Sequence, residues 1–189
     1  GLMETDYEYA VVRDARDMPA AAVIGAEAGR RAAARLGGVK LETRTAPVLF
    51  PARVARGLIG SLLGAISGGA LYRKASFLVD ALDTQVFASL VTIDERPHLH
   101  KALASAPFDE EGVATADRCL VEAGVLRGYL LGSYYARKLG MASTGNAGGA
   151  HNLVVQSTGE SFADLLAKMD RGLVIADLMG SGINPVTGD

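Results

Sequence analysis

Tryptophan is absent, cysteine occurs once, and aromatics make up only 6% of the 189 residues. A lone cysteine, Cys119, cannot close an internal disulfide, so a disulfide-stapled scaffold is excluded and a reducing, cytoplasmic compartment is expected. A large excess of charge of either sign is also missing. A net charge of −2 and an isoelectric point near 5.9 give no positive field to gather phosphates, so nucleic acid is not an expected partner. The longest uncharged stretch, residues 57–72, falls short of the roughly 18 residues that a membrane span requires. It is read as a buried core helix, and no membrane contact is expected. No basic, then apolar leader opens the chain, so no secretory signal is expected, and there is no HExxH motif. What is present is a 49% hydrophobic composition, enough to build one or two domains around a real core.

Residues 7–13 alternate apolar and charged side chains, as does 39–45, and both predict strands with one wet face. Between them Asp17 caps a predicted helix running to Leu36, with Pro19 where a missing donor costs nothing and Gly37 and Gly38 as the stop. Residues 48–50 read as a short buried strand, and Pro51 opens the apolar helix. Residues 87–93 predict a strand and 96–112 a surface loop. Two apolar runs between Cys119 and Leu131, separated by Glu122, Ala123 and Gly124, predict a hairpin. Ser133 caps a short helix to Lys138 that Gly140 ends, and a glycine-rich loop, 143–149, leads to a strand at 153–156. Ser161 and Asp164 form a predicted capping box for a helix ending at Gly172, and residues 173–179 predict a last strand. Hairpin signals mixed with interspersed helices predict an α+β fold with mixed, largely antiparallel sheets rather than a regular βαβ array.

His98, His100 and His151 are the natural metal candidates. His98 and His100 would share one face of a strand but lack a nearby third ligand, and Cys119 fits a small buried apolar role inside the hairpin, so hydrogen-bonded or surface histidines are the favoured reading. Ser143-Thr144-Gly145-Asn146-Ala147-Gly148-Gly149 fits neither the P-loop nor the dinucleotide fingerprint and reads as a tight loop bordering a groove. Ser143 or Ser157 with His151 would be a nucleophile and base, without an elbow motif to support them. Arg73, Lys74, Arg137 and Lys138 suit either a substrate carboxylate or solvent. Asp109, Glu110 and Glu111 read as a solvated acidic run.

Several blocks together resemble the PmbA/TldE branch of the TldD/PmbA family, labelled modulators of DNA gyrase. They are Leu58-Ile59-Gly60; Ser67-Gly68-Gly69-Ala70-Leu71-Tyr72-Arg73-Lys74-Ala75-Ser76-Phe77-Leu78; Phe108-Asp109; Glu111-Gly112-Val113; Gly124-Val125-Leu126; Ala136-Arg137-Lys138-Leu139-Gly140-Met141; Thr144 to Gly149 with His151-Asn152; Leu178-Met179-Gly180; and Val186-Thr187-Gly188-Asp189. The resemblance implies that residues 1–45 end an N-terminal α/β region and that 46–189 form the start and middle of a C-terminal domain, with the natural chain continuing past Asp189. It implies a cytoplasmic metalloprotease of two subunit types acting on unfolded or flexible peptides. Catalytic-branch chains carry an HExxxH zinc motif on the apolar helix, and the corresponding positions here are Gly60, Ser61 and Ala65, which offer neither imidazole nor carboxylate. No catalytic or metal residue is therefore expected in this chain. Zinc is expected in a TldD-like partner, and Arg73, Lys74, Thr144, Gly145, Asn146, His151 and Asn152 are the candidates for a substrate groove or partner surface. The alternative is a non-enzymatic regulatory module, acting as a homodimer. A third is a hydrolase built on His151 and a serine.

Overall fold

The computed structural model describes residues 3–178, 180 and 183–189. The chain divides into two compact units, Gly1–Thr45 with His100–Leu103, and Ala46–Leu99 with Ala104–Asp189. The architecture is α+β.

In the smaller unit a single turn of 3-10 helix, Ala15–Asp17, precedes helix α1, Ala21–Ala34. Asp17 does not cap α1. Met18, which precedes Pro19, is held extended at φ −70° and ψ 124°, as sterics before a proline demand, so the helix cannot run through it. Asp14 caps the 3-10 turn instead, accepting from the Arg16 N–H at 3.0 Å. Residues 7–13 and 39–45 are irregular rather than strands. Alternation supplies a face but not a partner, and Val39 and Leu41 stay 79% and 55% exposed, so nothing rewards pairing. Helix α1 has no buried residue.

The larger unit holds the core. Strands β2 (Ile93–Glu95), β3 (Arg118–Glu122), β4 (Val125–Leu126) and β5 (Leu153–Val155) form an antiparallel sheet in the order β4-β3-β2-β5. Strands β1 (Val48–Leu49) and β6 (Leu173–Val174) form a separate parallel pair. Ile66, Ile93, Leu120, Leu126 and Leu131 are fully buried between the main sheet and the helices. The predicted hairpin is β3–β4, turning at Ala123 and Gly124 with φ of 46° and 81°. Gly124 is obligatory, because a Cβ there would collide with the Phe87 and Ala88 carbonyl oxygens. The Val86 and Phe87 N–H groups both bond the Gly124 carbonyl. That wrapping displaces the strand predicted at 87–93 to 93–95.

The apolar segment is two helices, not one. Helix α2 (Ala52–Ala65) stops at Ile66, Ser67 turns extended, and α3 (Gly68–Tyr72) restarts under a Ser67 cap to the Ala70 N–H. The break is clamped by Leu130, whose N–H bonds the Ile66 carbonyl at 3.0 Å and whose carbonyl accepts from Gly68 N–H at 2.9 Å. Helix α4 (Ser133–Lys138) begins one residue earlier than predicted, with Ser133 as its first residue and Gly132 at the cap position. Helix α5 (Phe162–Met169) carries the predicted capping box, Ser161 with Asp164, but ends short of Gly172 because Asp170 turns to φ 55°. The predicted last strand is confined to 173–174, and its end at Met179 lies outside the described residues.

Candidate functional site

The third residue of β2 is Glu95, a glutamate 1% exposed inside the sheet. Such a group survives burial only with partners, and this one has three partner residues, Arg118, Asn146 and His151. Arg118 is its cross-strand neighbour in register and donates to Oε2 from Nη2 at 2.7 Å and Nε at 3.1 Å. Oε1 accepts from Asn146 Nδ2 at 2.7 Å and the His151 N–H at 2.8 Å, with His151 Nδ1 at 3.1 Å. Burial pushes the Glu95 carboxyl up, but the His151 N–H, the Arg118 guanidinium and the Asn146 amide outweigh it, and the net shift is downward. The residue is a buried anion around which the glycine-rich loop is tied.

The remaining atoms of the loop close the network. Arg118 Nη2 also donates to Asn146 Oδ1 at 2.8 Å, Thr144 Oγ1 donates to the same oxygen at 2.7 Å, and Asn146 Nδ2 reaches the Gly149 carbonyl at 3.1 Å. Thr144 Oγ1 accepts from the Leu131 N–H at 2.8 Å. Asp109 holds the loop from another side: its carboxylate accepts from the N–H groups of Ala147, Glu111 and Val113, each at 2.9 Å. Burial again acts upward on Asp109 and these three donors outweigh it. Asp109 is 6% exposed, which corrects the reading of 109–111 as a solvated run; its aspartate is committed to shaping the loop, while Glu110 and Glu111 remain exposed.

The loop borders a cavity of about 800 Å³. Gly64, Ser67, Gly68 and Gly69 line it from the α2–α3 junction, Tyr134 and Tyr135 from α4, and Asn146 to Ala150 from the loop, with Arg73, Glu110 and Glu111 adding charge. Of the sequence candidates, Arg73 and Asn146 line this space. Thr144, Gly145 and His151 lie in the supporting network, with Gly145 packed on the Ala114 carbonyl. Asn152 pins a different segment, bonding the Arg96 carbonyl, Ser105 Oγ and the Ala104 N–H. Lys74 ends α3 at φ 53°, exposed and not part of the lining.

A nucleophile–base pair is not assembled among the described residues. The Ser143 hydroxyl donates to the Leu131 carbonyl, Ser157 accepts from Gly159 N–H, and the His151 ring faces Glu95. His98 shares a hydrogen bond with Thr115 Oγ1 at 3.0 Å, in a turn rather than on a strand. Cys119 is half-buried, its thiol pushed up by burial and by Asp94. On α2, Gly60 has no side chain, Ser61 Oγ donates to the Gly57 carbonyl at 3.3 Å and Ala65 is buried. Among the described residues no three histidine, cysteine or acidic side chains cluster as metal ligands, and no helix is long and apolar enough to cross a membrane.

The family model of the PmbA/TldA metallopeptidase C-terminal domain matches residues 43–189. The chain belongs to the PmbA/TldD metallopeptidase family. Metalloprotease PmbA of Escherichia coli O157:H7 is 49% identical over 189 residues, which cover 100% of this chain and 42% of that relative. The chain therefore spans less than half the length of this PmbA/TldD relative. Two solved structures agree in fold. A candidate modulator of a DNA gyrase from Thermotoga maritima superposes with a TM-score of 0.86 at 33% identity, covering 96% of this chain and 44% of that one. TldE from Thermococcus kodakarensis gives 0.72 at 26%, covering 85% and 39%. The family's α+β architecture is the one described above.

Sequence reasoning missed Glu95, Arg118, Tyr134 and Tyr135. The one available signal was Asp94-Glu95 directly after the apolar Val91-Thr92-Ile93, an acid pair where a strand should continue. Its partner Arg118 is distant in sequence, and only the strand register joins them.

Proposed function

We propose that this chain is part of the TldE/PmbA-type, noncatalytic subunit of a cytoplasmic TldD/TldE-type metalloprotease, and that its cavity walls a chamber receiving unfolded or flexible peptides. A TldD-like partner supplies zinc and hydrolysis. The observation that carries the reading is helix α2. Its Gly60, Ser61 and Ala65 provide no imidazole and no carboxylate, while the cavity beside the helix end has a mixed lining of glycines, aromatic rings and a few charged side chains. A hydrolytic zinc site needs ligands and a group to activate water, and these positions offer neither. The name metalloprotease PmbA supports the family, and the name TldE is in keeping with a TldE-type chain.

The name of the Thermotoga protein, a candidate gyrase modulator, is in keeping with a second reading, a non-enzymatic regulatory module, for which we propose self-pairing. One experiment separates the two. Zinc content and casein hydrolysis are measured for the full-length protein alone and mixed with a TldD-like protein from the same source. Zinc and activity only in the mixture, with a mixed complex on gel filtration, support the noncatalytic subunit. A self-paired species that neither binds nor activates the TldD-like protein supports the second reading, and stoichiometric zinc with activity in this protein alone overturns both.

A further inference from the structure

The charges on the cavity lining come from separate segments and are not equivalent. Glu111 is occupied, because its carboxylate accepts the Ser133 N–H at 2.7 Å. Asn146 is spent on Glu95 and the Gly149 carbonyl. Arg73 and Glu110 are different: neither side chain has a hydrogen-bonding or ion-pair partner among the described residues. Each reaches over a glycine. Arg73 Nη1 is 3.3 Å and the Tyr135 hydroxyl 3.4 Å from where a Cβ on Gly69 would stand, and Glu110 Cδ is 2.5 Å from the corresponding point on Gly148. Tyr134 and Tyr135 meet edge to face at 5.1 Å and add an aromatic wall.

We propose that this cavity selects peptide segments carrying both a carboxylate and a basic group, the carboxylate taken by Arg73 and the basic group by Glu110. The proposal rests on the chamber reading above and adds a specificity to it. A guanidinium offers two parallel donors to a carboxylate, and an exposed carboxylate attracts an ammonium or guanidinium. A ligand of one sign would be drawn to one of these groups and repelled by the other, so the pair discriminates by repulsion as well as attraction. Two other lining glycines, Gly64 and Gly149, have open space where a Cβ would stand and let a peptide main chain approach closely, and the volume lies within the roughly 300–1,000 Å³ of ligand sites.

The test is calorimetric titration of the full-length protein, without partner or metal, with four hexapeptides of one Gly/Ala/Tyr framework: one bearing Asp and Lys, one Asn and Gln, one two Asp, one two Lys. The mixed-charge peptide is expected to bind about tenfold tighter than each of the others, the worth of one good charged contact. Arg73→Glu should move the preference to the two-Lys peptide and Glu110→Lys to the two-Asp peptide. Both side chains are exposed, and matching thermal melts confirm that the variants fold. Equal binding of all four peptides, no binding, or preferences that the reversals leave unmoved would overturn the proposal. Because neither zinc nor hydrolysis is read, a failure here leaves the subunit assignment standing, and the casein assay can fail without touching this result.

Discussion

The two units use the same kinds of ion pair to different ends. Around α1 the pairs lie on the surface: Glu27 with Arg30 at 2.7 Å and Arg31 at 2.8 Å, Asp14 with Arg16 at 2.7 Å, and Lys101 with Asp14 at 2.7 Å and Asp17 at 2.9 Å. In the larger unit the Glu95–Arg118 pair sits in the sheet with Glu95 1% exposed. Exposed pairs exchange one well-solvated state for another and contribute little. A buried anion has no such alternative, so its partners become conditions for folding. The arginines grip α1 loosely, whereas Glu95 dictates where residues 144–151 go.

The sharpest way to break that contrast is to remove Glu95. Glu95→Ala leaves the Arg118 guanidinium, the Asn146 amide and the His151 N–H without their shared acceptor. The expected loss is about 3–5 kcal/mol, the cost of stranding one partner of a buried pair, read as a lowered urea midpoint. Amide exchange should speed first in residues 143–151, where the network holds the loop. A loss no larger than that of a surface substitution would show that water replaces the carboxylate and that burial at Glu95 is only apparent.

How far this organisation was legible follows from range. The β3–β4 hairpin, α4 and the α5 capping box were readable because each is decided by residues a few positions apart, as Gly124 and Ser161 with Asp164 illustrate. The strands expected at 7–13 and 39–45 failed because alternation is local and a strand partner is not. The helix break at Ile66–Ser67 is enforced by Leu130, and the glycine-loop anchor pairs β2 with β3 across 23 positions. A groove beside the glycine-rich loop was therefore foreseeable from its composition. Its anchor and its aromatic wall were not, because no motif joins Glu95 to Arg118 or Tyr135 to Gly68.

Acid offers a milder probe of the same contrast. Glu95 and Asp109 both have carboxyls held below the ordinary range in the folded protein. As pH falls the unfolded chain takes up those protons first, near the ordinary values of about 4, so each group's stabilisation is complete above that point and disappears as pH drops through the folded value. The urea midpoint should fall steadily on acidification from about pH 6 to about pH 3. Glu95→Gln, which keeps the shape without the charge, should differ most from wild type at the upper end and converge at the lower. Parallel acid limbs would mean that Glu95 is not the titrating group and would leave Asp109 as the source.

The smallest effect is expected at the surface. Asp14 accepts from Arg16 and Lys101, which hold its carboxyl well below the usual range, and Glu27 is lowered to about 2, chiefly by Arg30. Large displacements of this kind look like strong interactions. Both groups are only partly covered and lie at the surface, however, where solvent and salt screen them, so the shifts do not translate into comparable stability. Asp14→Asn should leave the urea midpoint nearly unchanged at low salt and indistinguishable from wild type in 1 M sodium chloride, where the screening length is about 3 Å. Should Asp14→Ala, which also removes the acceptor of the Arg16 N–H, instead destabilise the protein as much as Glu95→Ala, in salt as well as without it, Asp14 would be acting as the cap of the 3-10 turn rather than as a charge. The contrast between the units would then be one of backbone satisfaction, not of burial.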